Sequence, residues 1–245
     1  MEHATDYSLP AERLLNRQAG WLAPARSRLL RRVAIAQRDL VLELGAAYGG
    51  VTAELARRTQ GLVVALDRSY PALKQGSGEA TIPAVQANVE QLPFGSAAFD
   101  LIFGQHVFMW LSNPSAAMGE CARVLRPGGV TILVEPDYGG LIEYPAALSL
   151  KRLWLSALRQ AGADPLIGRK LPGLGATAGL QVRTFLLEEI QGPEPARFEL
   201  LEQLPLATTE AAELRRVKVA SQEVAQSEQL IHLPYMLLIA KKSTP

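Results

Sequence analysis

The run Val41-Leu42-Glu43-Leu44-Gly45-Ala46-Ala47-Tyr48-Gly49-Gly50 decides the fold. Leu40–Leu44 is a short apolar run of the kind that forms a strand buried on both faces, and it empties into a glycine-bearing turn ahead of helical periodicity at about 50–59. Glycine in such a turn adopts positive φ and lets the backbone approach a ligand closely. Asp67 lies 22 residues after Gly45, at the end of the next apolar run, Leu62–Leu66, where a carboxylate can accept hydrogen bonds from ribose hydroxyls. Together these features indicate a ligand that contains a nucleoside. Glu43, near the mouth of the sheet, suits a cationic ligand better than a pyrophosphate. The chain also lacks the Gly-x-x-x-x-Gly-Lys-Ser/Thr loop of triphosphate sites.

Outward from this run, short apolar segments alternate with helical ones, the signature of βαβ units around a parallel sheet. Further strands are expected at Ile82–Val85, Leu101–Phe103 and Val130–Val134, with helices at about 70–75 and 114–125. Arg126-Pro127-Gly128-Gly129 predicts a helix stop and a tight turn into the fifth strand. Leu148, Leu153, Trp154, Leu155 and Leu158 predict another helix, and the Gly/Pro-rich segment 162–179 an irregular stretch. Leu180–Ile190 reads as a strand, 207–228 as a polar helix and Tyr235–Ala240 as a final strand. Two late strands separated by a long excursion suit a sheet completed by an antiparallel edge.

Residues 8–38 carry seven arginines, Arg13, Arg17, Arg26, Arg28, Arg31, Arg32 and Arg38, among leucines at roughly helical spacing. This predicts one or two amphipathic helices broken near Pro24, with the arginines on a solvated face. The expected organisation is a helical cap over 1–38 and one domain over 39–245, with a lid or substrate insert at about 138–178. Lys+Arg 25 against Asp+Glu 24 gives a net charge of +1, so no global field draws the chain to nucleic acid or anionic membrane. The single cysteine, Cys121, excludes an internal disulfide and fits a reducing compartment, and at its helical position reads as a small core residue. No apolar run approaches the ~20 residues of a membrane span, and Glu2, His3 and Asp6 stand where a signal peptide would be basic and then apolar. A cytoplasmic protein with a small, specific ligand is the expectation, its oligomeric state open.

Three downstream segments complete the pattern: Gln86-Ala87-Asn88-Val89-Glu90-Gln91-Leu92-Pro93-Phe94, Phe99-Asp100-Leu101-Ile102 and Arg123-Val124-Leu125-Arg126-Pro127-Gly128-Gly129. With these, residues 39–136 resemble the class I S-adenosylmethionine-dependent methyltransferases, in particular the small-molecule group typified by ubiquinone and menaquinone enzymes. The resemblance implies a Rossmann-like seven-stranded, mostly parallel α/β sheet with an antiparallel last strand and helices on both faces. It implies S-adenosylmethionine over Gly45, Ala46, Ala47 and Gly49, with Glu43 nearby, its ribose on Asp67 beside Arg68, its adenine amino group on Asn88, and the Val89 N–H on the adenine ring. Two positions depart from the family pattern: Ala47 replaces a glycine and Asn88 the common aspartate. Asn88 keeps a carbonyl oxygen able to accept from an amino group. The run Glu12-Arg13, Gln18 and Arg26 resembles a helical cap of this group, in which positions like Arg13 and Gln18 reach the methionine carboxylate or the acceptor pocket.

Methyl transfer from a sulfonium is an in-line displacement that depends chiefly on alignment and desolvation, so a base is optional. His106 follows the fourth strand at the ligand-binding edge and is the candidate base or acceptor contact for a hydroxyl. Gln105 is a candidate cofactor contact. Tyr7, Trp21 and Tyr144 are the candidate acceptor-pocket aromatics. The Asn/Asp-Pro-Pro-Tyr/Phe loop that marks enzymes methylating nucleic-acid amines is missing, since Glu135-Pro136-Asp137-Tyr138 follows the fifth strand and lacks the second proline. No metal is required, because Gly104-Gln105 stands where metal-dependent catechol enzymes place an acid. The expected activity is metal-independent methylation of a small, partly apolar acceptor, with oxygen favoured. Its rivals are a cofactor-binding relative without transfer activity, acting as a partner or scaffold, and an NAD(P)-dependent oxidoreductase, which leaves Asn88 and the 126–129 segment without a role.

Overall fold

The computed structural model describes residues 9–76, 82–187 and 196–244. Strand β1 (Leu40–Leu44) pairs in parallel with β2 (Leu62–Asp67) on one side and β4 (Phe99–Gln105) on the other. β2 carries the short β3 (Ala84–Gln86), and β4 carries β5 (Leu125–Pro136). The last strand, β9 (Tyr235–Lys241), runs antiparallel between β5 and β7 (Gln181–Leu186), giving the order β3-β2-β1-β4-β5-β9-β7. The reversed strand thus sits one position in from the edge, and β7 itself forms the edge. The chain winds outward from β1 to β3, then returns to start β4 on β1's other side. The β1/β4 crevice is therefore the topological switch point, where open α/β sheets bind ligands.

Alternation along each strand divides the core into two layers. Leu42, Leu44 and Ile102 pack under α5 (Pro114–Val124), α6 (Lys151–Gln160), α8 (Ala196–Glu202) and α9 (Thr208–Glu223). Val41, Leu101 and Phe103 pack against α2 (Ala23–Arg32) and α3 (Thr52–Arg58). By the same period, Glu43 and Gln105 project toward the α2 and α3 face. Helix α1 (Glu12–Trp21) precedes α2, the two meeting at Leu22 with Pro24 in the first turn of α2, where a missing N–H costs nothing.

The turn expected at 126–129 falls inside the span of β5: Leu125 pairs with Phe99 and Val130 with Leu101, so four residues bulge opposite one, and Gly128 takes the left-handed φ of +77°. Gly128 then donates to the Lys242 carbonyl at 2.9 Å and Lys242 to Gly129 at 3.0 Å. Two other local expectations change. The Gly/Pro-rich stretch contains a helix, α7 (Ile167–Thr177), with Pro172 inside it. Two of its glycines serve packing, since a Cβ on Gly168 would meet the Pro136 carbonyl oxygen at 2.8 Å and one on Gly175 the Val182 side chain at 2.7 Å. The arginines are not uniformly solvated either: Arg31 and Arg32 are exposed, but Arg26 is buried. A two-stranded ribbon of β6 (Ile142–Tyr144) and β8 (Leu230–His232) was not foreseen. Residues 188–190 of the expected strand lie outside the described residues, as does Tyr7. Helix α4 (Tyr70–Gly76) completes the described elements that flank the site. No helix among the described residues is long and apolar enough to cross a membrane.

Candidate active site

A cavity of about 350 Å³ opens at the carboxyl ends of β1, β2 and β4, roofed by α1, α6 and α8. The turn after β1 forms its floor. Gly45 has φ +65°, and a Cβ there would meet Val107 Cγ2 at 2.4 Å, so both conformation and space demand glycine. Ala47 also holds a left-handed backbone, φ +45°, and its N–H donates to Asp67 Oδ2 at 2.8 Å. The other Asp67 oxygen accepts from the Ser69 N–H at 2.8 Å. Each carboxylate oxygen keeps a lone pair for a ligand hydroxyl. Gly50 lets α1 settle onto the turn, since a Cβ there would meet Asn16 Oδ1 at 2.4 Å.

Among the residues nominated from sequence, Glu43, Gly45, Ala46, Ala47, Asp67 and Arg68 line the cavity from the β1 and β2 ends. Asn88 and Val89 line it after β3, Gln105 and His106 after β4, and Gln18 from α1. Gly49 does not; it borders a smaller void behind the turn. Arg13, Trp21 and Tyr144 are also absent from the lining. The Arg13 guanidinium sits 2.9 Å from Glu199 with its side chain 74% exposed. Trp21 packs half-buried against the core at the end of α1, and Tyr144 projects from the β6/β8 ribbon, 66% exposed. Asn88 is partly committed, because its Oδ1 accepts from the Glu90 N–H at 2.9 Å.

Glu43 is buried with Oε2 lacking any hydrogen-bond partner, and burial, reinforced by Asp67 and opposed by Thr52 and Arg26, pushes its carboxyl up to about 7. A cationic group arriving beside it would hold it ionised. Arg26 is 3% exposed and donates through Nε and Nη2 to Glu54 Oε2 at 2.8 and 2.6 Å, and through Nη1 to the Ala19 carbonyl and to Gln105 Oε1, each at 2.9 Å. His106 has φ +56°, and its Nε2 lies 2.9 Å from the Tyr235 hydroxyl. Burial first, and Arg26 second, push the His106 imidazole down to about 3, so it is neutral at physiological pH. Burial also raises the Tyr235 phenol well above its ordinary value, so it keeps its proton. The turn carrying His106 is anchored from β5, where buried Glu135 Oε1 accepts from the Val107 and Phe108 N–H groups at 2.7 and 2.8 Å.

The strand order segregates charge. Glu43, Asp67, Arg68 and Glu90 come from the β1, β2 and β3 ends, whereas Met109, Leu111, Tyr138, Trp154, Leu158 and Leu200 form the wall beyond β4. Tyr138 and Trp154 pack with ring centroids 5.0 Å apart. Sequence reasoning left Arg26, Trp154 and Leu200 out of the site. Helical periodicity marks Arg26 as a solvated arginine and Trp154 as an ordinary apolar-face residue, and no element is expected over Leu200; the packing of α6 and α8 over the sheet aims Trp154 and Leu200 into the cavity, and that of α2 brings Arg26 against Gln105.

Residues 42–133 match the family model for a methyltransferase domain. Those residues form a methyltransferase domain, set in a sheet with the Rossmann-like class I strand order, and S-adenosylmethionine is the cofactor of that class. It is 33% identical over 187 residues to the mouse mitochondrial arginine-hydroxylase NDUFAF5, covering 73% of this chain and 53% of the relative. It is 37% identical over 100 residues to malonyl-[acyl-carrier protein] O-methyltransferase 1 of Coxiella burnetii, covering 40% of this chain and 34% of the relative. The fold is similar to that of a SAM-dependent methyltransferase from Methanosarcina mazei, with TM-score 0.56, 16% identity, and coverage of 85% of this chain and 95% of the other. The chain spans about half the length of the NDUFAF5 relatives it matches.

Proposed function

We propose that this protein transfers a methyl group from S-adenosylmethionine to a small, partly apolar acceptor, at oxygen in preference to nitrogen or carbon. The segregation of the cavity carries this reading. Its charged half suits a cationic nucleoside cofactor, and its apolar half offers no charged side chain among the described residues to hold an ionic acceptor. The charged half fits the cofactor on its own chemistry, since Glu43 presents an orphaned carboxylate oxygen and Asp67 two half-used ones.

When bound, the cofactor supplies an electrophilic methyl on a sulfonium. Asp67 would hold the ribose hydroxyls, Asn88 and Val89 the adenine edge, and Glu43 would face the positive charge. Met109, Tyr138, Trp154 and Leu200 face the acceptor half with apolar surface, which lowers the local dielectric and strengthens electrostatic alignment there while the open mouth stays in contact with water. His106 does not store the acceptor's proton, because its imidazole lies far below neutrality. With Nε2 committed to Tyr235, the ring's Nδ1 is the nitrogen left to hydrogen-bond an acceptor hydroxyl and align its lone pair. The resulting proton leaves with solvent.

A transfer assay tests this reading. With labelled S-adenosylmethionine, a neutral hydroxylated ring such as 2-naphthol is expected to accept label, and zwitterionic sarcosine to accept none. Label on sarcosine alone would overturn the acceptor class. Tight cofactor binding without transfer to any acceptor would favour a non-catalytic binding role.

A further inference from the structure

Arg26 belongs to the helical cap and lies outside the strand-end motifs of the domain, yet it joins four elements. From α2 it bonds Glu54 of α3, the Ala19 carbonyl of α1 and the Gln105 side chain of β4. The last bond has a chemical consequence. A guanidinium only donates, so the Gln105 atom facing it must be the carbonyl oxygen, and the amide's orientation is dictated by its partner. The Gln105 NH₂ group is then directed away from Arg26, and Gln105 lines the cavity. That NH₂ makes no hydrogen bond to the described residues, and it can only donate.

Position in the sheet says what it would donate to. Across the order β3-β2-β1-β4, Asn88 follows β3, Asp67 ends β2, Glu43 lies at the end of β1, and Gln105 ends β4, one residue past the Leu44–Gly104 pair. With the adenosine placed over β2 and β3, the other end of the cofactor falls between Glu43 and Gln105. That end is an α-amino acid, a cation beside an anion. Glu43 offers a buried acceptor for the ammonium, and Gln105 offers a fixed donor for the carboxylate.

We propose that Arg26 is a positioning residue, which turns the Gln105 amide so that its NH₂, together with the Glu43 carboxylate, recognises the amino-acid head of the cofactor. This rests on the cofactor reading and deepens it. It also places the carboxylate contact on Gln105, in place of the exposed Arg13. Because the same guanidinium holds Ala19 of α1, head recognition and seating of the N-terminal helices share one node.

Two ligands separate this role from a structural one: S-adenosylhomocysteine, which carries the amino-acid head, and 5′-methylthioadenosine, which lacks it. Gln105→Leu is expected to weaken S-adenosylhomocysteine at least tenfold in calorimetric titration and to change 5′-methylthioadenosine less than twofold. The paired change Arg26→Met with Glu54→Met replaces the buried ion pair by apolar side chains, a type of exchange that folded proteins tolerate, and leaves Arg58, the second partner of Glu54, partly exposed and still bonded to Ser27. It is expected to give the same selective loss, and adding Gln105→Leu to it should cost no more than a further twofold. Equal loss for both ligands, or an unchanged ratio in either variant, would overturn the inference. If the unmutated protein binds neither ligand, the cofactor reading fails first; if it binds both and the ratio never moves, the Arg26 assignment alone fails.

Discussion

The backbone N–H of Ala47 donates to Asp67 Oδ2 at 2.8 Å, so the residue that departs from the family's glycine pattern is tied to the carboxylate that closes the second strand. The turn after β1 and the end of β2 are thereby one unit, and a change in either is felt by the other. Ala47 takes a left-handed backbone to make this bond, at a cost of about 1 kcal/mol for a residue with a Cβ. Ala47→Gly relieves that strain but loosens the unfolded chain. The expected net effect is a thermal unfolding midpoint unchanged or raised, with cofactor affinity kept within threefold. A drop of several degrees would show that the alanine methyl packs against something the turn needs.

Asp67→Ala removes charge-assisted hydrogen-bond acceptors and the Ala47 anchor together. Calorimetry is expected to show at least a tenfold rise in the S-adenosylmethionine dissociation constant, about 1.4 kcal/mol. Unchanged affinity would remove Asp67 from the site.

The Glu43 carboxyl, raised to about 7, makes two linked demands on pH. Its folded value lies above the unfolded one, so the stability it contributes is present below about 4.5 and is lost as pH rises through about 7. Glu135, raised by burial to about 7, acts with the same sign. The ligand-free protein is therefore expected to melt at a lower temperature at pH 8 than at pH 5.5. A cation beside Glu43 favours the ionised form, so S-adenosylmethionine should bind more tightly at pH 7.5 than at pH 6, releasing a proton that appears as a buffer-dependent enthalpy. In Glu43→Gln that buffer dependence should vanish.

Tyr235→Phe deletes the hydroxyl 2.9 Å from His106 Nε2. The expected stability loss is about 1 kcal/mol, the usual net worth of one hydrogen bond. If His106 aligns the acceptor, kcat should fall while S-adenosylhomocysteine affinity stays constant. An unaltered kcat would confine His106 to a structural role.

The half of the site nearest the strand ends was legible in the sequence. Glu43, Gly45 and Asp67 stand within two residues of a strand end, and strands of this kind announce themselves by short apolar runs. The roof was not. Arg26 sits among six other arginines on an amphipathic pattern, and its burial depends on Glu54 and Gln105, 28 and 79 residues away. Arg13 carried the same local signal and faces solvent beside Glu199. Helix α7 was hidden because glycine usually marks irregular chain, whereas Gly168 and Gly175 let that helix approach the sheet. Tyr144, nominated for its place after β5, was carried away from the cavity by a strand pairing with Leu230 that no local pattern signalled.

The central claim is that the cavity at the β1/β4 switch point holds S-adenosylmethionine. Calorimetric titration of the purified protein, stripped of bound ligand, with S-adenosylmethionine, S-adenosylhomocysteine and NADH tests it most directly. Micromolar binding of the first two and none of NADH is predicted. Binding of NADH alone, or of none of the three, would contradict it.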